Sequence, residues 1–174
     1  IISSLSVQSQ LEGLKLCGSN VGGVGCLALL GLALKDTNVK KLHLCHNDID
    51  DKGLRALVKG LKKGSSVDTL VLGGNASVTT EGLKSLSSLL QSDNCCLELL
   101  DLGDMNIGND GLDVVMDGLA TNKSLKLLSL SGNSIDDTGL DALASRRSNL
   151  ESLSLSENSA FTAAGLRSLS NAFQ

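Results

Sequence analysis

Proline, tryptophan and tyrosine are missing from this sequence of 174 residues, and phenylalanine occurs only twice. The shortage of rings removes the platforms on which unpaired bases stack. It also removes most of the anchors that dominate compact protein interfaces. An excess of positive charge is lacking too. Fifteen Lys and Arg face 19 Asp and Glu, for a formal net charge of −4, so nucleic acid is not expected as a partner. Long apolar runs are absent as well. The richest stretch, Cys26 to Leu34, falls short of the ~20 residues that cross a bilayer, and no membrane insertion is expected. The opening Ile1-Ile2-Ser3-Ser4 carries neither an initiator Met nor a basic segment, so no signal peptide is visible and the start reads as an excerpt.

What is present is leucine, 37 residues of it, with 24 Ser and 19 Gly. Hydrophobic residues make up 41% and charged residues 20%, which suits one folded domain and not a disordered chain. The five cysteines, Cys17, Cys26, Cys45, Cys95 and Cys96, are odd in number and lack the spacing of a small disulfide scaffold. They read as thiols of a cytoplasmic or other reducing compartment. Sequons stand at Asn75 and Asn122; Asn75 falls at a position expected to be buried, which argues against glycosylation there.

The leucines recur in phase, and self-similarity is the strongest signal in the chain. One unit can be written L-x-x-L-x-L-x-x-N-x-I-x-x-x-G-L-x-x-L. It is met in full by Val39, Leu42, Leu44, Asn47, Ile49, Gly53, Leu54 and Leu57, and again from Leu125 through Asn133 to Leu143. The units opening at Val67 and Leu150 share one extra residue between Asn and the next apolar position. The units opening at Leu11 and Leu97 carry Ser19 and Met105 in place of the Asn. Starts at 11, 39, 67, 97, 125 and 150 give intervals of 28, 28, 30, 28 and 25, the last shortened around Ser145–Ser148.

Each unit has two halves. The L-x-L half alternates with period two, as a strand does, and the G-L-x-x-L half has helical spacing with one apolar stripe. No single unit can bury its apolar face, but stacked units share a core between a parallel sheet and a row of helices. Helices are wider than the ~4.8 Å strand spacing, so the stack curves with strands inside. Asp50, Thr79, Asp136 and Thr162 are placed as helix N-caps, with Gly22 and Gly108 in the other two units. The Asn column falls in the turn after each strand, where an amide can satisfy orphaned backbone groups.

These six phased units resemble the leucine-rich repeat family, in its long-repeat, ribonuclease-inhibitor-like class, over essentially the whole chain. The resemblance implies an α/β fold, a right-handed horseshoe-shaped solenoid with the parallel sheet on the concave side and helices on the convex side. It implies a single domain over 1–174, with a partial unit in 1–10. Ile1 and Leu5 fit late helix positions of a preceding unit, Phe173 falls in the last helix, and no polar capping segment is visible. The chain is therefore expected to be part of a longer array, or to have its ends covered by a partner.

Function in such a scaffold is expected on the concave strand face. Candidate partner-binding residues are Lys15, Lys41, His43 and His46 at a basic end, Leu99 and Leu127 as an apolar spot, Asp101 and Asp104 as an acidic part, and Ser129 and Ser154 in a serine field. A face graded in this way can orient a partner of opposite pattern, although ordinary variation of a solvated surface gives gradients too. On the convex side Lys52, Arg55, Lys59, Lys62 and Lys63 make one helix basic, and Asp110, Asp113 and Asp117 make another acidic. Cys17, Cys45 and His43 share one face and have the ligand types of a zinc or copper site, but their spacing is not a standard set. His43 and Cys45 could meet as base and nucleophile, but an open sheet offers no dry pocket for acyl chemistry. The expected function is a non-catalytic interaction scaffold that binds a protein partner and needs no cofactor. The alternatives are a regulatory module of a larger protein, GTPase-activating or sensory, and a metal- or redox-responsive module using Cys17, Cys45 and His43.

Overall fold

The computed structural model describes residues 10–146 and 148–172; the expectations for Ile1, Leu5 and Phe173 lie outside the described residues. Strand and helix alternate along the chain. The strands are β1 (Gly13–Lys15), β2 (Lys41–His43), β3 (Thr69–Val71), β4 (Leu99–Asp101), β5 (Leu127–Ser129) and β6 (Ser152–Ser154). The helices are α1 (Val24–Ala33), α2 (Asp51–Leu61), α3 (Thr80–Leu90), α4 (Gly108–Leu119), α5 (Asp137–Ser145) and α6 (Ala163–Ala172). The strands form one parallel sheet in sequence order. Leu14, Leu42, Leu70, Leu100, Leu128 and Leu153 lie side by side in register. Leu42, Leu70, Leu100 and Leu128 are buried, as are Leu44, Leu72, Leu102 and Leu130 beyond each strand end. Leu54 and Leu57 of α2, Leu83 and Leu86 of α3, and their counterparts Leu112, Val115, Leu140 and Leu143 close the same core from the helix side.

The first unit departs from this phase. The unit spacing puts Cys26 and Leu29 at the two inward helix positions, but the fold uses Leu27, Leu30 and Leu34. The entry to α1 is one residue longer, so its N-cap is Gly23, not Gly22. In α4 the displacement is opposite: the helix begins at Gly108 itself, with Ile107 and not Gly108 as its cap. The shift in α1 lays an i, i+3, i+7 leucine stripe on the sheet and leaves Leu29 and Leu32 outside. The four predicted polar caps hold. Asp50 accepts from the Gly53 amide, Thr79 from Glu81, Asp136 from Thr138, and Thr162 from Ala164.

The asparagine column stitches each unit to the one before it. Asn75 Oδ1 accepts from the Asn47 and Ile49 amides (2.9 and 3.0 Å), while its Nδ2 donates to the carbonyls of Leu44 and Leu72. Asn47, Asn133 and Asn158 repeat the arrangement toward Ser19 and Val21, Met105 and Ile107, and Asn133 and Ile135. Met105, buried without an amide, interrupts the series. Asn75 and Asn122 are both buried, and the Asn122 side chain is engaged by Leu90, Ser124 and Leu125, so neither sequon is open to a glycan.

Adjacent helices do not approach equally. A Cβ on Gly60 of α2 would lie 2.3 Å from the Gly31 backbone of α1, and one on Gly118 of α4 would lie 2.8 Å from Ser87 of α3. These contacts make α1–α2 and α3–α4 close pairs, while α2–α3 and α4–α5 pack more loosely. Val58 and Leu89, at the equivalent positions between α2 and α3, are bulky and buried.

Candidate functional site

Because alternate strand residues point to opposite faces, the inward leucines turn their neighbours to the concave surface. Register aligns Gly13, Lys41, Thr69, Leu99, Leu127 and Ser152 in one row and Lys15, His43, Val71, Asp101, Ser129 and Ser154 in the next. Eight of the ten candidates thus sit on strands; the other two, His46 and Asp104, lie three residues past the ends of β2 and β4, in the turns. Lys15 and Lys41 are exposed and His43 is half-buried. Burial is the main reason that His43 titrates below an ordinary histidine, and the charges of Lys15 and Lys41 add to it against a smaller pull from Asp101. Lys15 and Lys41 are the positive charges that surround His43 at the basic end.

Leu99 and Leu127 are register neighbours on β4 and β5. Leu127 is 40% exposed, so the apolar spot faces solvent. Asp101 accepts from the Gly103 amide at 3.0 Å, which fixes its carboxylate at the strand end. Ser154 links to Ser131 (2.9 Å) and more weakly to Ser156, so the serine field is hydrogen-bonded within itself. His46 and Asp104 hold left-handed backbone at φ 52° and 53°. Each lies over a glycine of the following unit: a Cβ at Gly74 would stand 2.2 Å from His46 Nδ1, and one at Gly132 would stand 2.1 Å from Asp104 Oδ1. The two side chains stand beside the sheet at its turn edge.

The cysteines correct one expectation. Cys17 and Cys45 are bonded to each other as a disulfide with a Cα separation of 4.6 Å, so they do not stand as two thiolate ligands beside His43. Among the described residues no group of three or more His, Cys, Asp and Glu is arranged to hold a metal ion. Cys45 is likewise not a free nucleophile for His43. The reading of all five cysteines as thiols holds for Cys26, Cys95 and Cys96.

Three side chains have a role the sequence reading did not assign. Asp51, in the first turn of α2, reaches the start of α3, where its carboxylate accepts from the Thr79 amide (2.7 Å), the Thr79 hydroxyl and the Gly82 amide. Asp137 does the same for Thr162 of the next unit, and Asn109 exchanges hydrogen bonds with Asp136. Partial burial pulls the Asp51 carboxyl upward, but the bonds from Thr79 and Gly82 and the charge of Arg55 outweigh it and hold it below the usual carboxylate range. The signal for this was an acidic or amide residue at the first helix turn followed, one unit later, by a Thr or Asp cap. On the convex side Arg146 pairs with Asp113 and Asp117 (3.2 and 3.5 Å), which reduces the acidic character expected of α4. A cleft of about 650 Å³ lies away from the concave face, at the rim where helices return to strands, and is lined in part by Gln91, Asp93, Cys95 and Lys123. Among the described residues no helix is long and apolar enough to cross a membrane.

The arrangement has relatives. The family model described as Leucine Rich repeat matches residues 35–58, 93–116 and 121–144. A protein phosphatase 1 regulatory subunit 37 homolog of Caenorhabditis briggsae is 29% identical over 144 residues, 80% of this chain and 15% of that protein. The ribonuclease inhibitor of Mus musculus is 31% identical over 113 residues, 64% of this chain and 24% of the inhibitor. The chain thus spans less than a quarter of the length of these relatives. In structure, it is similar to the chain described as Leiomodin-1 Actin-Binding Site 2, with a TM-score of 0.63 at 22% identity, covering 73% of this chain and 75% of that one.

Proposed function

Because the chain is a leucine-rich repeat protein of the ribonuclease-inhibitor-like class, we propose that it is a non-catalytic recognition module whose concave face binds a protein partner. The observation that carries this is the in-register face, which puts Lys15, Lys41 and His43 at one end, Asp101 further along and a pair of an exposed Leu127 and a half-buried Leu99 beside it. The matching partner surface has carboxylates opposite β1 and β2, an aliphatic group over Leu99 and Leu127, and a cation near Asp101 and Asp104. Opposed charges of this kind steer encounter and fix register, while the desolvated apolar contact supplies affinity. The names of the relatives, a phosphatase regulatory subunit and an inhibitor, support binding as the mode of action.

Photo-crosslinkers placed at Lys41, Asp101 and Leu127 on the concave face and at Lys59 and Asp117 on the convex face test this reading in an extract of the source cells. One common protein captured from the concave positions, and lost when Lys41→Glu and Asp101→Lys are combined, is the expected result. Capture from the convex positions alone sinks it. A second reading, a regulatory module within a larger protein, is favoured by the small share of each relative that the chain spans. In that reading the array continues beyond this sequence. Leu166 of α6 supports continuation: it is 54% exposed, whereas Leu27, Leu54, Leu83, Leu112 and Leu140 at the same helix position are fully buried. The open reading frame that contains this sequence decides it: further repeats or a second domain support the module, and a stop directly after Gln174 excludes C-terminal continuation.

A further inference from the structure

We propose that Cys17 and Cys45 are a thiol–disulfide couple that sets how firmly the first repeat is docked on the second, and with it whether Lys15 stands in the basic end of the concave face. The clause on Lys15 rests on the recognition reading above; the rest does not.

Three observations carry the proposal. The first is placement. The two residues follow β1 and β2 at the same register position, 28 residues apart in sequence, so the bond spans one whole unit and ties the first repeat to the second on the concave side. The second is that the first repeat lacks the side-chain clamps that fasten the start of later helices. Its helix N-cap, Gly23, makes no side-chain capping bond. Val24 occupies the helix position from which Asp51 and Asp137 clamp the following units. Among the described residues β1 pairs with β2 alone. The remaining ties are the close packing of α1 on α2 through Gly31 and Gly60, the β1–β2 ladder with its extension through Leu16 and Gly18, and the hydrogen bonds of Asn47 to Ser19, Val21 and Leu16. The third is chemistry. Cys17 is exposed and Cys45 half-buried, so a small thiol or disulfide can reach the bond between them.

The exchange partner is a low-molecular-weight disulfide such as oxidised glutathione. The Cys17 thiolate attacks one sulfur of it, forming a mixed disulfide and expelling one glutathione thiolate. The Cys45 thiolate then attacks Cys17 Sγ, breaks the mixed bond and expels the second. The two protons given up by the cysteines end on the two departing glutathiones. An excess of reduced glutathione runs the same steps backward.

The test uses the full chain under oxidised and reduced glutathione. Alkylation under denaturing conditions, read by mass, should give five adducts in the reduced chain and three in the oxidised one, with Cys26, Cys95 and Cys96 modified. Cys17→Ser should give four in both. Hydrogen exchange on the native chain should accelerate at least tenfold over residues 13–34 on reduction and stay unchanged over residues 127–146. Five adducts at every ratio, a bond to a different cysteine, or exchange over 13–34 that is the same in both states overturns the proposal, as does acceleration spread evenly over the chain. No partner enters either measurement, so failure here leaves the concave-face reading standing, and failure of the crosslinking experiment leaves the couple standing.

Discussion

Asn75 makes four hydrogen bonds from a fully buried side chain, two accepted from the preceding unit's turn and two donated to carbonyls. Asn75→Ala strips the acceptor from the Asn47 and Ile49 amides where water cannot replace it. At about 1–3 kcal/mol for each stranded group, a loss of roughly 3 kcal/mol is expected in urea unfolding. Asp51 carries a pH-dependent contribution. Its folded carboxyl titrates below the ordinary range, so this stability is fully present above about pH 4 and is lost as pH falls through the lower folded value. The urea midpoints of wild type and Asp51→Asn should therefore converge as the buffer is taken down from pH 6 into that acid window. The asparagine column was legible because its spacing and side-chain chemistry both repeat. The bond between Cys17 and Cys45 was not, because the sequence supplies their shared register but not whether the two sulfurs bond each other or a metal. Asp51 looked like any acid in a first helical turn, since a capping contact made one unit away has no local signature.

In the helices, burial was legible wherever one apolar stripe stood out, as in α2 with Leu54, Leu57 and Leu61. In α1 it was not. Its sequence VGCLALLGLA is apolar all round, so no stripe identifies the inward face, and only packing against α2 selects Leu27 and Leu30 over Cys26 and Leu29. Truncation separates the two faces. Leu27→Ala should cost about 2–5 kcal/mol, whereas Leu32→Ser should stay within about 0.5 kcal/mol, both read from thermal or urea unfolding. The α1–α2 contact gives an opposite-sign test of helix propensity. Gly60→Ala should gain about 1 kcal/mol from propensity alone, but the added methyl meets the Gly31 backbone at 2.3 Å and neither backbone can step aside. A lowered melting temperature is expected, and a raised one would mean that the two helices do not touch as described.

At the scale of the molecule, the solenoid was readable from the repeat alone, and the register of six strands follows the intervals in the sequence. What the repeat does not encode is which surface has a partner, because the concave positions are those left unconstrained by packing. The last unit also departs from its predecessors, with Leu153, Leu155 and Leu169 only partly buried and Leu166 open. Apolar groups grouped on an open edge favour association. The isolated 174-residue chain should accordingly self-associate with rising concentration in sedimentation velocity, and Leu166→Lys should suppress this, while Leu140→Lys, at the equivalent buried site, should unfold the chain.

The alternation of close and loose helix contacts bears on how such a chain can change its length. Excising residues 39–96 would bring Gly31 opposite Gly118, glycine on glycine as before. Excising 39–66 alone would set Gly31 against Leu89, where the fit is lost. Loss of a couplet should therefore disturb the helix row less than loss of a single repeat, although the leucine spacing makes only the single repeat visible.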